Sequence, residues 1–326
     1  KVTNYVPTSY KGLTTLRDAI IDSNNIVAVK AITALTTQVG FDFLQKLGFT
    51  TLVNNRVNTN GAYESDVNQS LSLGGITDGV TNVELTAAYA AIANQGTYNK
   101  PVLYTTVKDS NGNVLLSNKT SSQKVMKKST AWLLTNAMED VIKKGTGREA
   151  QLDSDMATAG KTGTTSNNYD YWFCGYTPYY TASVWTGYDY NTSFDNDKDY
   201  HKVIWKKIMD RIIKETKQSA KSFPACKSIK KASICMKSGK KPLPDICAKD
   251  PQKSMVRTEY FASGTVPKDS CDAHVAVTFC SKSHLAAQKF CPEKFRYTKI
   301  FRVRPKHSTG KTEDEPYFLN IDINKK

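Results

Sequence analysis

The fold of this chain is constrained most by three β-prone segments that follow one another directly, at residues 156–165, 171–176 and 182–188. The second and third are rich in aromatic and β-branched residues, and short links join all three, which favours neighbouring antiparallel strands. A helical pattern follows at residues 202–217. This order predicts an antiparallel sheet that is covered by a closing helix.

Apolar residues at helical spacing predict further helices around this sheet. Thr81 and Glu84 have the spacing of a capping box at the start of one of them. The closing helix at residues 202–217 is expected to bury a face that carries Ile204, Ile208 and Ile212. The remaining patterns lie at residues 15–21, 26–35, 40–47 and 129–142. Helices gathered on an antiparallel sheet give a multi-layer α/β fold, with a small β-rich module after it.

The C-terminal third differs in composition from the rest of the chain. Residues 218–326 contain 22 Lys and Arg against 10 Asp and Glu, so most of the net charge of +15 lies there. We therefore expect two domains among the 326 residues, at 1–217 and 218–326. The basic surface is either simply solvated or attracts an anionic wall polymer or membrane surface. No nucleic-acid module is recognisable, so nucleic acid is not expected as a partner.

Cysteine is concentrated in the same C-terminal part. A disulfide framework is the favoured interpretation of these residues, with an oxidising, extracellular setting, and six cysteines leave fifteen pairings open. Zinc binding is the alternative, because Cys271 with His274 and Cys280 with His284 have ligand-like spacing. The disulfide candidates are Cys226, Cys235, Cys247, Cys271, Cys280 and Cys291, whereas Cys174 stands apart as a small buried strand residue.

The first β-prone segment contains residues typical of acyl-transfer chemistry. Lys161 would bring positive charge to the edge of a strand, and Gly163 would let a substrate backbone lie against it. Thr162 and Thr164 alternate with Gly163, so both hydroxyls can face one side and bind a substrate carboxylate. A Lys-Thr-Gly triplet alone is typical of any strand edge or turn, and its value here comes from the strands that follow.

A second polar motif, Ser23-Asn24-Asn25, interrupts two predicted helices. Such a triplet is most often a helix cap. Between two helices it can also display its side chains into a cleft. The triplet is a candidate for a functional role because it precedes the Lys161 motif in the sequence.

Together these motifs resemble those of class A penicillin-binding proteins, the bacterial peptidoglycan transpeptidases. The resemblance covers about residues 1–217. It includes Ser23-Asn24-Asn25, Gly145-Thr146-Gly147, the string from Ala159 to Thr165 and the two aromatic strands. In the tail, Arg257-Thr258-Glu259-Tyr260-Phe261 resembles the extension after the transpeptidase in Gram-positive members.

The resemblance implies a serine D,D-transpeptidase fold and activity without a cofactor. Ser23 would relay a proton, and Asn25 would bind the substrate amide. Lys161 would supply positive charge and orient Ser23, and Thr162 and Thr164 would hold the terminal carboxylate. The implied partners are peptidoglycan stem peptides, their lipid-linked precursor and β-lactam antibiotics. The implied location is the extracellular face of the bacterial membrane.

The nucleophile of that family lies in a Ser-x-x-Lys motif before the second motif, and the residues before Ser23 do not supply one. We expect it on an upstream fragment of the same protein, together with a glycosyltransferase domain and a membrane anchor. Chance matches occur later in the sequence, among them those that begin at Ser121, Ser228 and Ser308.

Two other interpretations remain open at this point. A serine β-lactamase would need a deacylating glutamate between the two motifs. Glu64 and Glu84 lie there, but neither has the Glu-x-x-Leu-Asn context. A non-catalytic β-lactam-sensing or wall-binding protein would be acylated without cross-linking stem peptides.

Overall fold

The structure is a computed structural model, and it describes residues 2–4, 10–194, 199–306 and 312–320. The chain divides into two compact units. One comprises Ala19–Lys227 with the N-terminal residues Lys1–Tyr5, and the other comprises Ser228–Lys326 with Val6–Asp18. No sequence pattern indicates that residues 6–18 group with the C-terminal part, so the domain limits predicted at 217 and 218 do not include this segment.

The helices lie close to their predicted positions, and the last three of them pack against the three-stranded sheet. Among the described residues no single helix has the length and apolarity to cross a membrane. One bent pair, Asn25–Leu35 and Thr37–Lys46, passes the same test on length and composition alone, with an angle of 94° between its members. The α-helices are α1 (Leu16–Ile21), α2 (Asn25–Leu35), α3 (Thr37–Lys46), α4 (Asn82–Ala93), α5 (Lys128–Lys144) and α6 (Tyr200–Glu215).

The strands form one three-stranded sheet and several two-stranded ribbons. The bounds are β1 (Arg56–Val57), β2 (Tyr63–Glu64), β3 (Thr97–Asn99), β4 (Thr106–Lys108), β5 (Val114–Ser117), β6 (Ser122–Lys124), β7 (Ala159–Thr164), β8 (Asp170–Tyr176), β9 (Thr181–Gly187), β10 (Ile229–Cys235), β11 (Val256–Ala262), β12 (His274–Cys280) and β13 (Arg296–Arg302). The three predicted strands are β7, β8 and β9, and they pair antiparallel in that order. The ribbons pair β1 with β2, β3 with β6, β4 with β5, β10 with β11 and β12 with β13.

Helix α6 covers the sheet, but with a different face from the one that the sequence indicated. Trp205 is fully buried, lies edge-on to Phe173 of β8 at 5.1 Å, and donates its indole N–H to the Ala182 carbonyl at 3.0 Å. Ile204 and Ile208 are 40% and 44% exposed, and of the predicted isoleucine face only Ile212 packs against the core. The indole buries more apolar area than an isoleucine side chain, and this decides the orientation of the helix.

The capping box of α4 forms only in part. Thr81 Oγ1 accepts a hydrogen bond from the backbone N–H of Glu84 at 3.2 Å, as a helix cap should. The Glu84 carboxylate accepts instead from the N–H and hydroxyl of Thr50, at 3.1 and 2.6 Å. Glu84 therefore ties the helix start to the neighbouring segment.

The second unit is built from two hairpins with the same plan. Each has a seven-residue strand that ends in cysteine, a second cysteine beyond the turn, and a seven-residue returning strand. In each turn the first cysteine N–H donates to the carbonyl five residues later, at Lys240 or Leu285. The residue before that carbonyl has a left-handed backbone in both copies, Gly239 (φ 70°) and His284 (φ 59°). This repeat escaped sequence inspection because few side chains match between the copies.

Candidate active site

The centre of the candidate site is Lys161, on the outer edge of the three-stranded sheet. Strand β7 pairs with β8 on one side, and among the described residues no strand pairs with its other side. The Lys161 ammonium donates to the Ser23 hydroxyl at 2.8 Å. The structure thus brings together two residues from the two motifs that the sequence singled out.

Burial changes the acid–base behaviour of Lys161. Removal from water disfavours the charged ammonium and lowers the pKa of Lys161 to about 8. The Thr162 carbonyl, at 3.2 Å, accepts a second hydrogen bond from the ammonium. Lys161 is therefore a cation near neutral pH that can be deprotonated within the physiological range.

Ser23 is presented by a tight turn between α1 and α2. Its backbone has a positive φ of 55°, a conformation that non-glycine residues rarely adopt. The Asn24 side chain accepts from the N–H of Val27 at 3.1 Å and so caps α2. The cap fixes the start of the helix, and the turn before it directs the Ser23 hydroxyl to Lys161.

A glycine lets the end of α5 approach this turn. A Cβ on Gly145 would lie 2.6 Å from the Ile21 carbonyl oxygen, closer than real Cβ atoms come. The neighbouring Thr146 places its hydroxyl 2.8 Å from that of Thr162. The Thr146 carbonyl also accepts from the ammonium of Lys202 at 3.2 Å. Only family resemblance pointed to this loop in the sequence, and the contacts of Thr146 and Lys202 were missed.

The other predicted substrate-binding residues follow along β7. Gly163 is half-buried, and Thr164 is exposed at the end of the strand. A Cβ on Gly163 would meet only the Trp172 side chain, at an ordinary contact distance of 3.4 Å. The strand edge therefore offers room on its surface next to the Lys161 ammonium.

Asn25 makes a different contact from the one that the sequence led us to expect. It is the first residue of α2, and its side-chain amide donates to the Thr3 carbonyl at 3.1 Å. It thus holds the N-terminal segment. A role in binding a substrate amide stays a prediction.

Of the chance Ser-x-x-Lys matches named above, two lie within the described residues, and each begins next to a strand. Ser121 precedes the exposed strand β6, where the Lys124 ammonium donates to the Gln95 carbonyl at 2.6 Å. Ser228 precedes β10 in the second unit. The match at Ser308 lies outside the described residues.

The two glutamates weighed for a β-lactamase role have structural partners. Glu64 accepts from the guanidinium of Arg56 at 2.7 Å and from the amide of Asn58 at 3.0 Å. These hydrogen bonds lower the pKa of Glu64. Hydrogen bonds from Thr50 and Thr81 likewise keep the pKa of Glu84 below its usual value despite burial, so both carboxylates are poor proton acceptors.

The cysteines occupy distinct places in the structure. Cys174 is 3% exposed, as expected for a small strand residue, and burial raises its pKa to about 12. In the second unit, Cys235, Cys247 and Cys271 are buried thiols that converge on His274. The disulfides expected among the six C-terminal cysteines stay a prediction.

Comparison with known families gives two matches. The penicillin binding protein transpeptidase domain matches residues 2–213, and the C-terminal domain of penicillin-binding protein 1A matches residues 225–276. Penicillin-binding protein 1A of Clostridium novyi is 32% identical over 324 residues, which cover 97% of this chain and 36% of the relative. Penicillin-binding protein 1A/1B of Bacillus subtilis is also 32% identical, over 79% of this chain and 28% of the relative.

Solved structures support the same fold. Penicillin-binding protein 1A from Haemophilus influenzae has a TM-score of 0.64 at 20% identity, and the match covers 83% of this chain and 43% of the Haemophilus influenzae chain. PonA1 from Mycobacterium tuberculosis, solved in complex with penicillin V, has a TM-score of 0.58 at 25% identity, covering 68% and 62%. The chain spans about a third of the length of the first curated relatives.

Proposed function

Because the chain belongs to the penicillin-binding protein transpeptidase family, we propose that it is part of a serine D,D-transpeptidase that cross-links peptidoglycan stem peptides. The observation that carries this proposal is the 2.8 Å contact between the Lys161 ammonium and the Ser23 hydroxyl. A cation and a hydroxyl in contact at the edge of a substrate-accessible strand are what serine acyl transfer needs beside its nucleophile.

The proposed reaction has two steps. A serine oxygen attacks the carbonyl carbon between the two D-alanines of a stem peptide, the C–N bond breaks, and D-alanine leaves with a proton. The amine of a neighbouring stem peptide then attacks the resulting ester, forms the cross-link, and returns the proton to the serine. A β-lactam would acylate the same serine, because its ring amide resembles the D-Ala-D-Ala bond.

Each residue of the site has a proposed part in these steps. The Ser23 hydroxyl would pass a proton to the leaving nitrogen, since it is in contact with the Lys161 ammonium. Lys161 would supply the positive field that stabilises the developing oxyanion and the terminal carboxylate. Thr162 and Thr164 would bind that carboxylate, with Thr146 holding the Thr162 hydroxyl in place. Asn25 would have to exchange its contact with Thr3 for one with the substrate amide.

The nucleophile is proposed to come from a Ser-x-x-Lys motif that precedes Ser23 in the intact protein. Hydrolysis of the acyl-enzyme by water would make the same site a D,D-carboxypeptidase. Since the chain spans about a third of the curated relatives, we also propose an upstream glycosyltransferase domain that uses the lipid-linked precursor. An upstream anchor would hold the protein on the extracellular face of the bacterial membrane.

Denaturing mass spectrometry of the intact protein with and without penicillin tests this proposal. We expect the adduct on a serine of a peptide that precedes Ser23. An adduct on a serine within the 326 residues would contradict the placement of the nucleophile. If the adduct forms but no stem peptides are cross-linked in a reconstituted assay, the protein is a β-lactam sensor instead.

The positive charge of the C-terminal part favours a second, binding role. Residues 218–326 carry most of the net charge, so an anionic wall polymer or membrane surface is the proposed partner. Deletion of residues 228–326 should reduce retention on isolated cell walls or anionic vesicles at low salt. Unchanged retention would exclude this role.

A further inference from the structure

We propose that Cys235, Cys247, Cys271 and His274 form a structural zinc site in the second unit. Their ligand atoms all lie within 4.8 Å of one another. The four residues are nearly inaccessible to water, at 0%, 0%, 6% and 4% exposure. Three thiols and one imidazole that converge in a buried place make one of the common ligand sets of structural zinc.

The interatomic distances fit a single tetrahedral ion. His274 Nδ1 lies 3.4 Å from the sulfurs of both Cys235 and Cys271. In a tetrahedral site with Zn–S of about 2.3 Å and Zn–N of about 2.0 Å, a sulfur and a nitrogen ligand are about 3.5 Å apart. A disulfide would join only two of the sulfurs, and it would leave the third thiol and the imidazole without a function.

The far side of the imidazole has the partner that a zinc ligand needs. His274 Nε2 lies 2.8 Å from Asp250 Oδ2, so Nε2 carries the proton and Nδ1 directs its lone pair at the sulfurs. Asp250 in turn accepts two hydrogen bonds of 2.7 Å from the guanidinium of Arg302. A carboxylate that orients a ligating histidine is typical of metal sites and tightens them.

The surroundings also favour bound thiolates. The backbone N–H of Leu243 donates to Cys247 Sγ at 3.3 Å, and such bonds stabilise a thiolate. Apolar side chains, among them Met255, pack on the cysteines and exclude water. All four positions are filled by the protein, so the site has no open position for a substrate, and we assign it a structural role.

The site would connect parts of the unit that are distant in sequence. Cys235 ends β10, Cys247 begins a 3₁₀ turn, Cys271 lies in a loop, and His274 begins β12. The small core of this unit consists largely of the same cysteines. Because a small unit with few buried apolar residues has little stability of its own, the ion would supply much of it.

Metal analysis of the intact protein tests the site. We expect one zinc ion per chain, and after its removal an equimolar uptake of Co²⁺ with the visible absorption of a tetrahedral cobalt thiolate. Cys247→Ser should lose the ion. Cys291→Ser, which changes the matching cysteine of the second hairpin, should retain it. Asp250→Asn keeps all four ligands, so it should only weaken zinc binding, by about 10- to 100-fold in a chelator competition.

Thiol labelling of the wild-type protein gives an answer that does not depend on any variant folding. Cys235, Cys247 and Cys271 should react with an alkylating reagent only after a chelator has been added. Two results overturn the proposal: a disulfide among these three cysteines by mass spectrometry, or a folded protein that takes up neither Zn²⁺ nor Co²⁺.

Discussion

The Lys161 ammonium lies 2.8 Å from the Ser23 hydroxyl, although 138 residues separate the two in the sequence. The hydrogen bond joins an edge strand to a helical turn, and it brings a half-buried cation to a hydroxyl that can move a proton.

Removal of the Ser23 hydroxyl should slow acylation of the intact protein. With Ser23→Ala we expect the second-order rate of penicillin acylation to fall by about 10²- to 10⁴-fold, the usual size of a lost proton-transfer group. The rate is measured with a fluorescent penicillin. Ser122→Ala, which removes an exposed hydroxyl on β6, should leave it unchanged. If Ser23→Ala and Ser122→Ala are acylated at the same rate, Ser23 takes no part in the proposed proton transfer.

The lowered pKa of Lys161 predicts a pH limit on acylation. If the cation is the active form, the rate should fall as the pH rises through about 8, where the ammonium loses its proton. The rate is measured as a pH profile with the substrate well below saturation. Lys161→Arg keeps its charge throughout this range, so its profile should lack the fall, whatever its absolute rate. A fall that persists in Lys161→Arg would assign the titration to another group.

Gly160 and Gly163 on β7 should control different properties: the first the thermal stability, and the second the rate of acylation. A Cβ at Gly160 would lie 2.7 Å from the Phe173 ring and 2.9 Å from the Cys174 carbonyl oxygen, so Gly160→Ala should lower the melting temperature. A Cβ at Gly163 finds only an ordinary contact with Trp172, so Gly163→Ala should melt near the wild type. We expect Gly163→Ala instead to slow acylation, because the new methyl group narrows the strand surface next to Lys161. If Gly163→Ala is acylated at the wild-type rate, the substrate does not lie against this part of the strand.

The packing of α6 on the sheet should depend on one side chain. Trp205→Ala empties the space beside Phe173 and leaves the Ala182 carbonyl without its indole donor. We expect a loss of about 3–5 kcal/mol in the free energy of unfolding. Ile204→Ala on the same helix is 40% exposed and should cost much less. Denaturant unfolding of both variants measures the difference, and similar losses would contradict the assigned face.

The sequence predicted the order of strands and helices well, because local periodicity and turn residues determine it. It predicted the buried face of α6 only in part, because helical spacing selected three isoleucines, of which only Ile212 packs against the core, whereas Trp205 fills the space against Phe173. The family motifs placed Ser23 and Lys161 in one site. No local pattern could reveal the contact of Thr146 with Thr162, because it depends on how closely the end of α5 approaches strand β7.

The proposed zinc site is a clearer example of a contact that local sequence patterns do not reveal. Spacing paired Cys271 with His274, whose Nδ1 lies 3.4 Å from the Cys271 sulfur, and it paired Cys280 with the exposed His284 by the same rule. The remaining proposed ligands, Cys235 and Cys247, come from a preceding hairpin. Only the antiparallel register of that hairpin carries them to His274.

The two hairpins of the second unit share strand length and cysteine placement, which is the arrangement that duplication of one hairpin would produce. The matching family model ends at residue 276, so it includes the first hairpin and all four proposed ligands, whereas most of the second hairpin lies beyond it. The second copy keeps the paired cysteines, Cys280 and Cys291, at the corresponding positions. Relatives are therefore expected to differ here in whole hairpins, gained or lost as units, while the sheet that carries Lys161 keeps its length.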